Sequence, residues 1–329
     1  MLDNITLKDE RRIANHELIS EYIYTYRYPE EEHSLCQLEM RAFFNTDTDS
    51  NFIKSKVKVD PSRSPFMKDR IEVMYEGNSL SEIMEQVTKL RLGESTFSVS
   101  FINFKEMGNS KKISYKERNQ IERDLGWKID ADFDLHHPDY AFGLIRLNDY
   151  WYFGEHVESE PVWLHHVKKP HSYSTALGTR LARSLCNIAV PDPEGISVID
   201  PCCGIGNVLV EALSMQINIS GRDINPLVTK GSRKNIAHFG YECDVTTGPI
   251  ETSPEGYDVA IIDLPYNLYT HITQEEQLSI LKHANRIADK VVVVTVDTID
   301  HMVEEAGFQV KDRCIARKAR FSRQVLVCE

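Results

Sequence analysis

From residue 195 to the end of the chain, short apolar runs alternate with stretches whose apolar residues recur every third or fourth position. ISVID (196–200), INISGRD (217–223), YDVAIID (257–263) and KVVVVTVD (290–297) read as strands, the last so apolar that both of its faces should be covered. Between them, GNVLVEALSM (206–215), PLVTKGSRKNIAHFG (226–240) and TQEEQLSILKHANRIA (273–288) have helical spacing, and TIDHMVEEAG (298–307) supplies one more helix. FQVKDRCIA (308–316) and SRQVLVCE (322–329) predict a closing antiparallel pair. Strands that alternate with helices predict a parallel sheet with helices on both faces, a doubly wound α/β domain.

The first half is less regular. EYIYTYRY (21–28), KSKVKVD (54–60), RIEVMYEG (70–77) and TFSVSFINF (96–104) read as strands, and DYAFGLIRLNDYWYFGEHV (139–157) as a hairpin turning at Asn148-Asp149. Helices are expected over 30–44, 79–93 and 114–129, the last ending near Gly126. The result is an α+β region, mostly antiparallel, in two small units. PVWLHHVKKPHSYS (161–174) reads as a linker between the halves.

Composition narrows the class. The 329 residues fit two or three domains. No apolar run approaches the roughly 20 residues needed to cross a bilayer, so no membrane role is expected. The start, MLDNITLKDERR, lacks the basic-then-apolar order of a signal peptide. Seven scattered cysteines without CxxC pairs fit free thiols in a reducing cytoplasm. A net charge of −12 excludes a protein that coats nucleic acid indiscriminately. The stretches 52–70 and 311–323 are nevertheless basic, and they suit either solvated faces or a grip on a few phosphates. The pairs His136-His137 and His165-His166 are not read as metal ligands, because adjacent residues in a strand point to opposite faces.

Two turns carry candidate chemistry. In VIDPCCGIGNVLVEA (198–212) a strand ends at Asp200 and a helix begins near Asn207, with Gly204 and Gly206 between them. Glycines there let a backbone approach a ligand that a β-carbon would repel. An acid at the strand end repels a pyrophosphate and suits a cation. About 20 residues on, the next strand also ends in an acid, Asp223, at the spacing that places a carboxylate on ribose hydroxyls. The second turn is AIIDLPYNLYT (260–270), where a core strand runs into Asp263-Leu264-Pro265-Tyr266. Both turns belong at the same edge of the sheet, where ligands bind in such folds.

The acidic D-x-x-x-G-x-G turn followed by Asp223 resembles the S-adenosylmethionine site of class I methyltransferases. The resemblance implies S-adenosyl-L-methionine as cofactor, with Asp200, Cys202, Gly204 and Gly206 along its methionine part and Asp223 and Ile224 at its ribose. The family's acid for adenine is replaced here by Pro249, leaving that role to the backbone around Ile250 or to Asp244. Asp-Leu-Pro-Tyr resembles the (Asp/Asn)-Pro-Pro-(Tyr/Phe) motif of enzymes that methylate exocyclic base amines. By that resemblance Asp263 and the Leu264 carbonyl accept the amine hydrogens, Pro265 stiffens the loop and Tyr266 stacks on an extruded base.

The pattern from 115 to 157, a helix ending in Leu-Gly-Trp, then His-Pro-Asp, then a Trp-Tyr-Phe-Gly hairpin, resembles the THUMP RNA-binding domain. With KKPHSYSTALGTRLARSLCNIA (168–189) and DLPYN, the chain is similar to THUMP-containing tRNA (guanine-N2-)-methyltransferases. That likeness implies a ferredoxin-like domain over 1–65, a THUMP-like domain over 66–158, a linker over 159–185 and a Rossmann-like, seven-stranded methyltransferase domain over 186–329. It further implies a tRNA substrate, a cytoplasmic enzyme, and RNA contacts from Lys116, Arg118, Arg123 and Arg180. It also admits a small activating protein partner. Ribosomal RNA, adenine in DNA or RNA, and an RNA-binding subunit without catalysis stay open as alternatives. A dinucleotide-dependent dehydrogenase does not, because the turn is acidic and lacks the third glycine.

Overall fold

The computed structural model describes residues 21–47, 49–103, 113–173, 176–265, 272–318 and 321–329. In chain order the first half contains β1 (Tyr22–Tyr26), α1 (His33–Phe44), β2 (Phe52–Ser55), β3 (Met67–Gly77), α2 (Leu80–Val87), β4 (Phe97–Phe101), α3 (Tyr115–Gly126), β5 (Tyr140–Leu147) and β6 (Tyr150–Glu158). The second half contains α4 (Thr179–Ala189), β7 (Ser197–Asp200), α5 (Asn207–Ser214), β8 (Asn218–Asp223), α6 (Pro226–His238), β9 (Val245–Thr247) and β10 (Tyr257–Asp263). It closes with α7 (Gln274–Ile287), β11 (Ala288–Thr295), α8 (Asp300–Glu305), β12 (Val310–Lys318) and β13 (Phe321–Cys328). Among the described residues no helix is long and apolar enough to cross a membrane.

The chain forms two compact units. The first takes residues up to Arg27, Thr48–Ser62 and Met67–Glu160; the second takes Tyr28–Asp47, Arg63–Phe66 and Pro161–Glu329. The first is built on a six-stranded sheet, β2-β1-β3-β6-β5-β4, antiparallel except for the β4–β5 pair. The division expected at residue 65 falls inside this sheet, since β1 pairs with β2 on one side and with β3 on the other. Helices α2 and α3 pack on one face through Ile83, Val87 and Leu125 against Phe97, Phe142 and Phe153. The β5–β6 hairpin turns at Asn148 and Asp149, both at positive φ (48° and 66°), which matches the twist of a two-residue turn.

The strand expected over 54–60 is shorter than its alternation suggests. Pairing stops at Ser55, and the Tyr24 hydroxyl then donates to the Val57 carbonyl and accepts from the Val59 N–H, both at 2.8 Å. A side chain thus takes over the backbone groups that a ladder would have paired.

The second unit holds a seven-stranded sheet in the order β12-β13-β11-β10-β7-β8-β9. Strands β9, β8, β7, β10 and β11 are mutually parallel, and β13 is antiparallel to both β11 and β12. This is a doubly wound α/β sheet closed at one side by an antiparallel pair. The order reverses between β7 and β10, so the carboxyl ends of those two strands flank a topological switch point. Beneath it lies a core of Ile199, Ile262, Leu264, Leu281, Val291 and Val293.

Helix α1, expected in the N-terminal domain, belongs to this second unit, as does the segment 63–66. A buried polar network explains the attachment. Asn187 on α4 donates to Glu39 on α1 at 2.7 Å and to the Arg63 carbonyl at 2.9 Å, and the Ser64 hydroxyl donates to the other Glu39 oxygen. Arg183, also on α4, donates to the Arg63 carbonyl at 2.7 Å and to Glu211 on α5 at 2.8 Å. His166 Nδ1 lies 2.8 Å from the second Glu211 oxygen. Burial raises the Glu39 carboxyl to about 7, against the pull of Ser64, Asn187 and Arg183. The C-terminal half of α5 is therefore tied to α4 through the buried Arg183–Glu211 pair, and α4 is tied in turn to α1 through Asn187 and Glu39.

Candidate active site

Strand β7 ends at Asp200, 3% exposed, whose Oδ1 accepts the Cys202 N–H at 3.1 Å. Burial, followed by the charges of Asp223 and Asp263, pushes this carboxyl well above the usual range despite that hydrogen bond. The chain then makes its glycine turn. Gly204 and Gly206 sit at φ 53° and 81°, in the left-handed region that favours glycine. A β-carbon on Gly206 would lie 2.4 Å from Ser232 Oγ, and one on Gly204 would lie 2.9 Å from the Tyr173 hydroxyl. Tyr173 was not expected here; it comes from the linker. That linker is tied over the turn by the Asn207 amide, which donates to the Leu177 carbonyl at 2.6 Å, and by Asn235, which accepts the His171 N–H at 2.9 Å.

Asp223 ends β8 beside the turn. One carboxylate oxygen accepts the Gly204 N–H and the other accepts the Asn225 N–H, both at 2.9 Å. The next residue, Ile224, is 71% exposed and presents an apolar surface beside the acid. Cys202 is partly exposed and its thiol is raised well above the ordinary value by burial and by Asp200, Asp223 and Asp263, so it packs as a neutral group.

Two positions considered for adenine differ in placement. The Ile250 side chain is in the core, and the Pro249 and Ile250 carbonyls already accept Arg222 Nε and the Ser253 N–H, both at 2.9 Å. Asp244 precedes β9, at the opposite end of the sheet from the glycine turn. It lines a separate cavity of about 640 Å³ with Asn218, Tyr241 and Cys243.

Asp263 ends β10, the strand next to β7. Its Oδ1 is buried and, among the described residues, has no hydrogen-bond partner. Burial raises its carboxyl to about 7, while the positive charge of Arg323 opposes the rise. Leu264 is fully buried and its N–H donates to the Val294 carbonyl at 2.9 Å, so the backbone after the acid continues the sheet. The Pro265 carbonyl accepts Gln277 Nε2 at 2.8 Å. Gln277 lies on α7 and is 4% exposed; an amide in a run of Gln and Glu gave no signal in sequence. Tyr266 and Asn267 lie outside the described residues.

The acids at the ends of β7, β8 and β10 lie at one edge of the sheet, beside a turn where Gly204 and Gly206 lack β-carbons. This donor set fits a cationic ligand bearing hydroxyls: carboxylates attract an ammonium or sulfonium and accept from a ribose diol, while they repel phosphate. The buried Asp263 Oδ1, without a hydrogen-bond partner among the described residues, is an acceptor available to a donor.

The residues expected to contact RNA do not form one group. Lys116 and Arg123 are exposed on α3, and the Arg118 guanidinium lies over the Tyr115 ring at 5.7 Å. The same helix ends present Tyr115 at 72% and Trp127 at 82% exposure, aromatic surface that the charge pattern had not singled out. Arg180 is in the other unit, paired with Glu32 and stacked on Trp163 at 4.9 Å, so its charge is already engaged. Arg183, one turn along the same helix from Arg180, is 2% exposed and serves the network that reaches Glu211 on α5.

Residues 167–324 match the family UPF0020, described as an RMKL-like methyltransferase domain. The chain is 23% identical over 171 residues to the tRNA (guanine(10)-N2)-dimethyltransferase of Methanothermobacter thermautotrophicus, covering 48% of this chain and 50% of that one. It is 26% identical over 128 residues to the enzyme of the same name from Methanocaldococcus jannaschii, covering 36% of each chain. The chain thus spans half or less of the length of these curated relatives. Among solved structures, TrmN from Thermus thermophilus aligns over 94% of this chain and 99% of its own, at 16% identity and a TM-score of 0.47.

Proposed function

We propose that the protein transfers a methyl group from S-adenosylmethionine to the exocyclic N2 amine of a guanosine in tRNA. The observation that carries the chemistry is the buried Oδ1 of Asp263, which has no hydrogen-bond partner among the described residues, at the sheet edge that bears the glycine turn. A guanine amine is a poor nucleophile because its lone pair is delocalised into the ring. Asp263 accepts one of its hydrogens and the Leu264 carbonyl is next in the chain to accept the other, which localises the lone pair and aims it. S-adenosylmethionine supplies a methyl carbon on a cationic sulfur; as the N–C bond forms the C–S bond breaks, and the sulfur keeps the electron pair as a neutral thioether. The methylated amine then loses one proton, which passes to the Asp263 carboxylate and on to water. Asp200 and Asp223 hold the donor by its charged and hydroxyl groups.

The choice of guanosine in tRNA is supported by the names of the curated relatives and by the exposed aromatic and basic groups of α3, which suit bases and phosphates. Purified protein incubated with labelled S-adenosylmethionine and undermodified total RNA should yield N2-methylguanosine in the tRNA fraction on nucleoside mass spectrometry. Asp263→Ala should yield none. A methylated adenosine, or product confined to ribosomal RNA, would overturn the substrate assignment.

A further inference from the structure

Resting on the reading above, we infer that Arg323 is a positioning residue for Asp263: its guanidinium, on the same face and edge of the sheet, keeps the accepting carboxylate ionised while leaving Oδ1 open to the amine. Nothing in the sequence pattern assigns Arg323 a role, since it sits in a basic stretch that reads as a solvated face.

The register places the two together. Asp263 on β10 is level with Val294 on β11, and Val294 is level with Val325 on β13. Residues level with one another on neighbouring strands share a face, and so do residues two apart on one strand. Arg323, two residues before Val325, therefore shares the face of Asp263. Because β13 runs antiparallel to β11, Arg323 also lies toward the carboxyl edge. It is 8% exposed in a strand otherwise apolar on this side, with its guanidinium 4.5 Å from the Phe321 ring centroid.

The other ionisable groups around Asp263 work against its charge. From the glycine turn come Asp200, Asp223 and the Cys202 thiol, and beyond β11 lies exposed Asp297. Burial raises the Asp263 carboxyl, and among the described residues Arg323 opposes that rise. Without that pull Asp263 would stay protonated near neutrality. A carboxylic acid would then point an O–H at the amine, the wrong polarity for an acceptor. Arginine suits the task because its charge persists through burial, where a lysine tends to lose its proton.

The test uses the full chain with Arg323→Gln and Arg323→Lys. In single-turnover methyl transfer on tRNA, Arg323→Gln should move the acidic limb of the pH profile up by about one unit, a tenfold loss of ionised Asp263 below the midpoint. Arg323→Lys should recover most of that shift. A second readout needs no RNA: the pH at which the melting temperature of each protein departs from that of its Asp263→Asn counterpart. That pH should rise in Arg323→Gln by the same amount. An unmoved midpoint, with rate lowered equally at every pH, overturns the inference and leaves Arg323 a packing residue. If the parent protein methylates no RNA, the functional reading falls, and the melting titration still decides Arg323.

Discussion

Asp263→Asn should abolish transfer and, above neutral pH, stabilise the protein. In the folded protein the carboxyl is raised from 3.8 to about 7 by burial. A carboxyl that titrates higher when folded contributes stability that is complete below its unfolded value. That stability is lost as pH rises through its folded value. At about 1.4 kcal/mol per unit, the shift corresponds to a ceiling of about 4 kcal/mol. Partial exposure of the residue to solvent reduces this to about 2 kcal/mol. Asparagine does not titrate, so the variant escapes the loss. Calorimetric melts of parent and variant across pH 4 to 8 cancel the contributions of the other titrating groups. At pH 4 the two should agree closely; at pH 8 the second unit of the variant should melt about 4–8 °C higher, at roughly 2–4 °C per kcal/mol for a unit of this size. Single-turnover transfer at pH 8 should fall at least about 100-fold, the scale of losing one acceptor or donor aimed at the reacting group. A variant no more stable at pH 8 than at pH 4, relative to the parent, would refute the idea that an ionised carboxylate is held there against burial.

Gly206→Ala forces a side chain into φ 81° and against Ser232 Oγ, so S-adenosylmethionine affinity by titration calorimetry should drop more than about tenfold. Adding Ser232→Gly should recover part of it, and unchanged affinity in the single variant would remove the steric account. Arg183→Met leaves Glu211 buried with one charge uncompensated and should cost about 3–5 kcal/mol in denaturant unfolding; a loss below about 1 kcal/mol would show that His166 alone satisfies that carboxylate. Gln277→Leu removes the donor to the Pro265 carbonyl and should lower kcat about tenfold with KM for the methyl donor unchanged. A rise in that KM instead would place Gln277 on the cofactor side of the site.

Most of the second unit was legible because its information is local. A parallel sheet buried on both faces writes itself as apolar runs, and β7, β8, β10 and β11 all start and stop within a few residues of their sequence-based bounds. The placement of Asp200, Gly204, Gly206, Asp223 and Asp263 at one edge of the sheet was legible because strand ends and tight turns impose residue types at short range. The N-terminal half was read with its helices and strands largely in place but divided wrongly, since nothing local says that β1 and β2 join β3 while α1 joins α4. The long-range chemistry was the least visible. Glu39 and Asn187 meet across 148 residues, and the Arg41–Asp312 pair spans 271. Charged residues at such separations look like surface until the fold shows what surrounds them. The same holds for Arg323, whose significance depends on a register across three strands.

The way the chain is shared between the two units has a consequence for how the protein can be cut. The backbone passes from one unit to the other after residues 27, 47, 62, 66 and 160. No single cleavage separates the first unit from the second, and a fragment starting at 161 lacks α1 and the Arg63 guanidinium, which donates to the Val190 carbonyl at 2.9 Å. Glu39 also leaves with that piece, stripping Asn187 of its carboxylate partner. In the gene, a module swap at one junction would deliver a catalytic sheet with a missing helix and exposed polar groups. Two such domains exchange freely between genes only when each is one continuous stretch; here the interleaving binds their inheritance together.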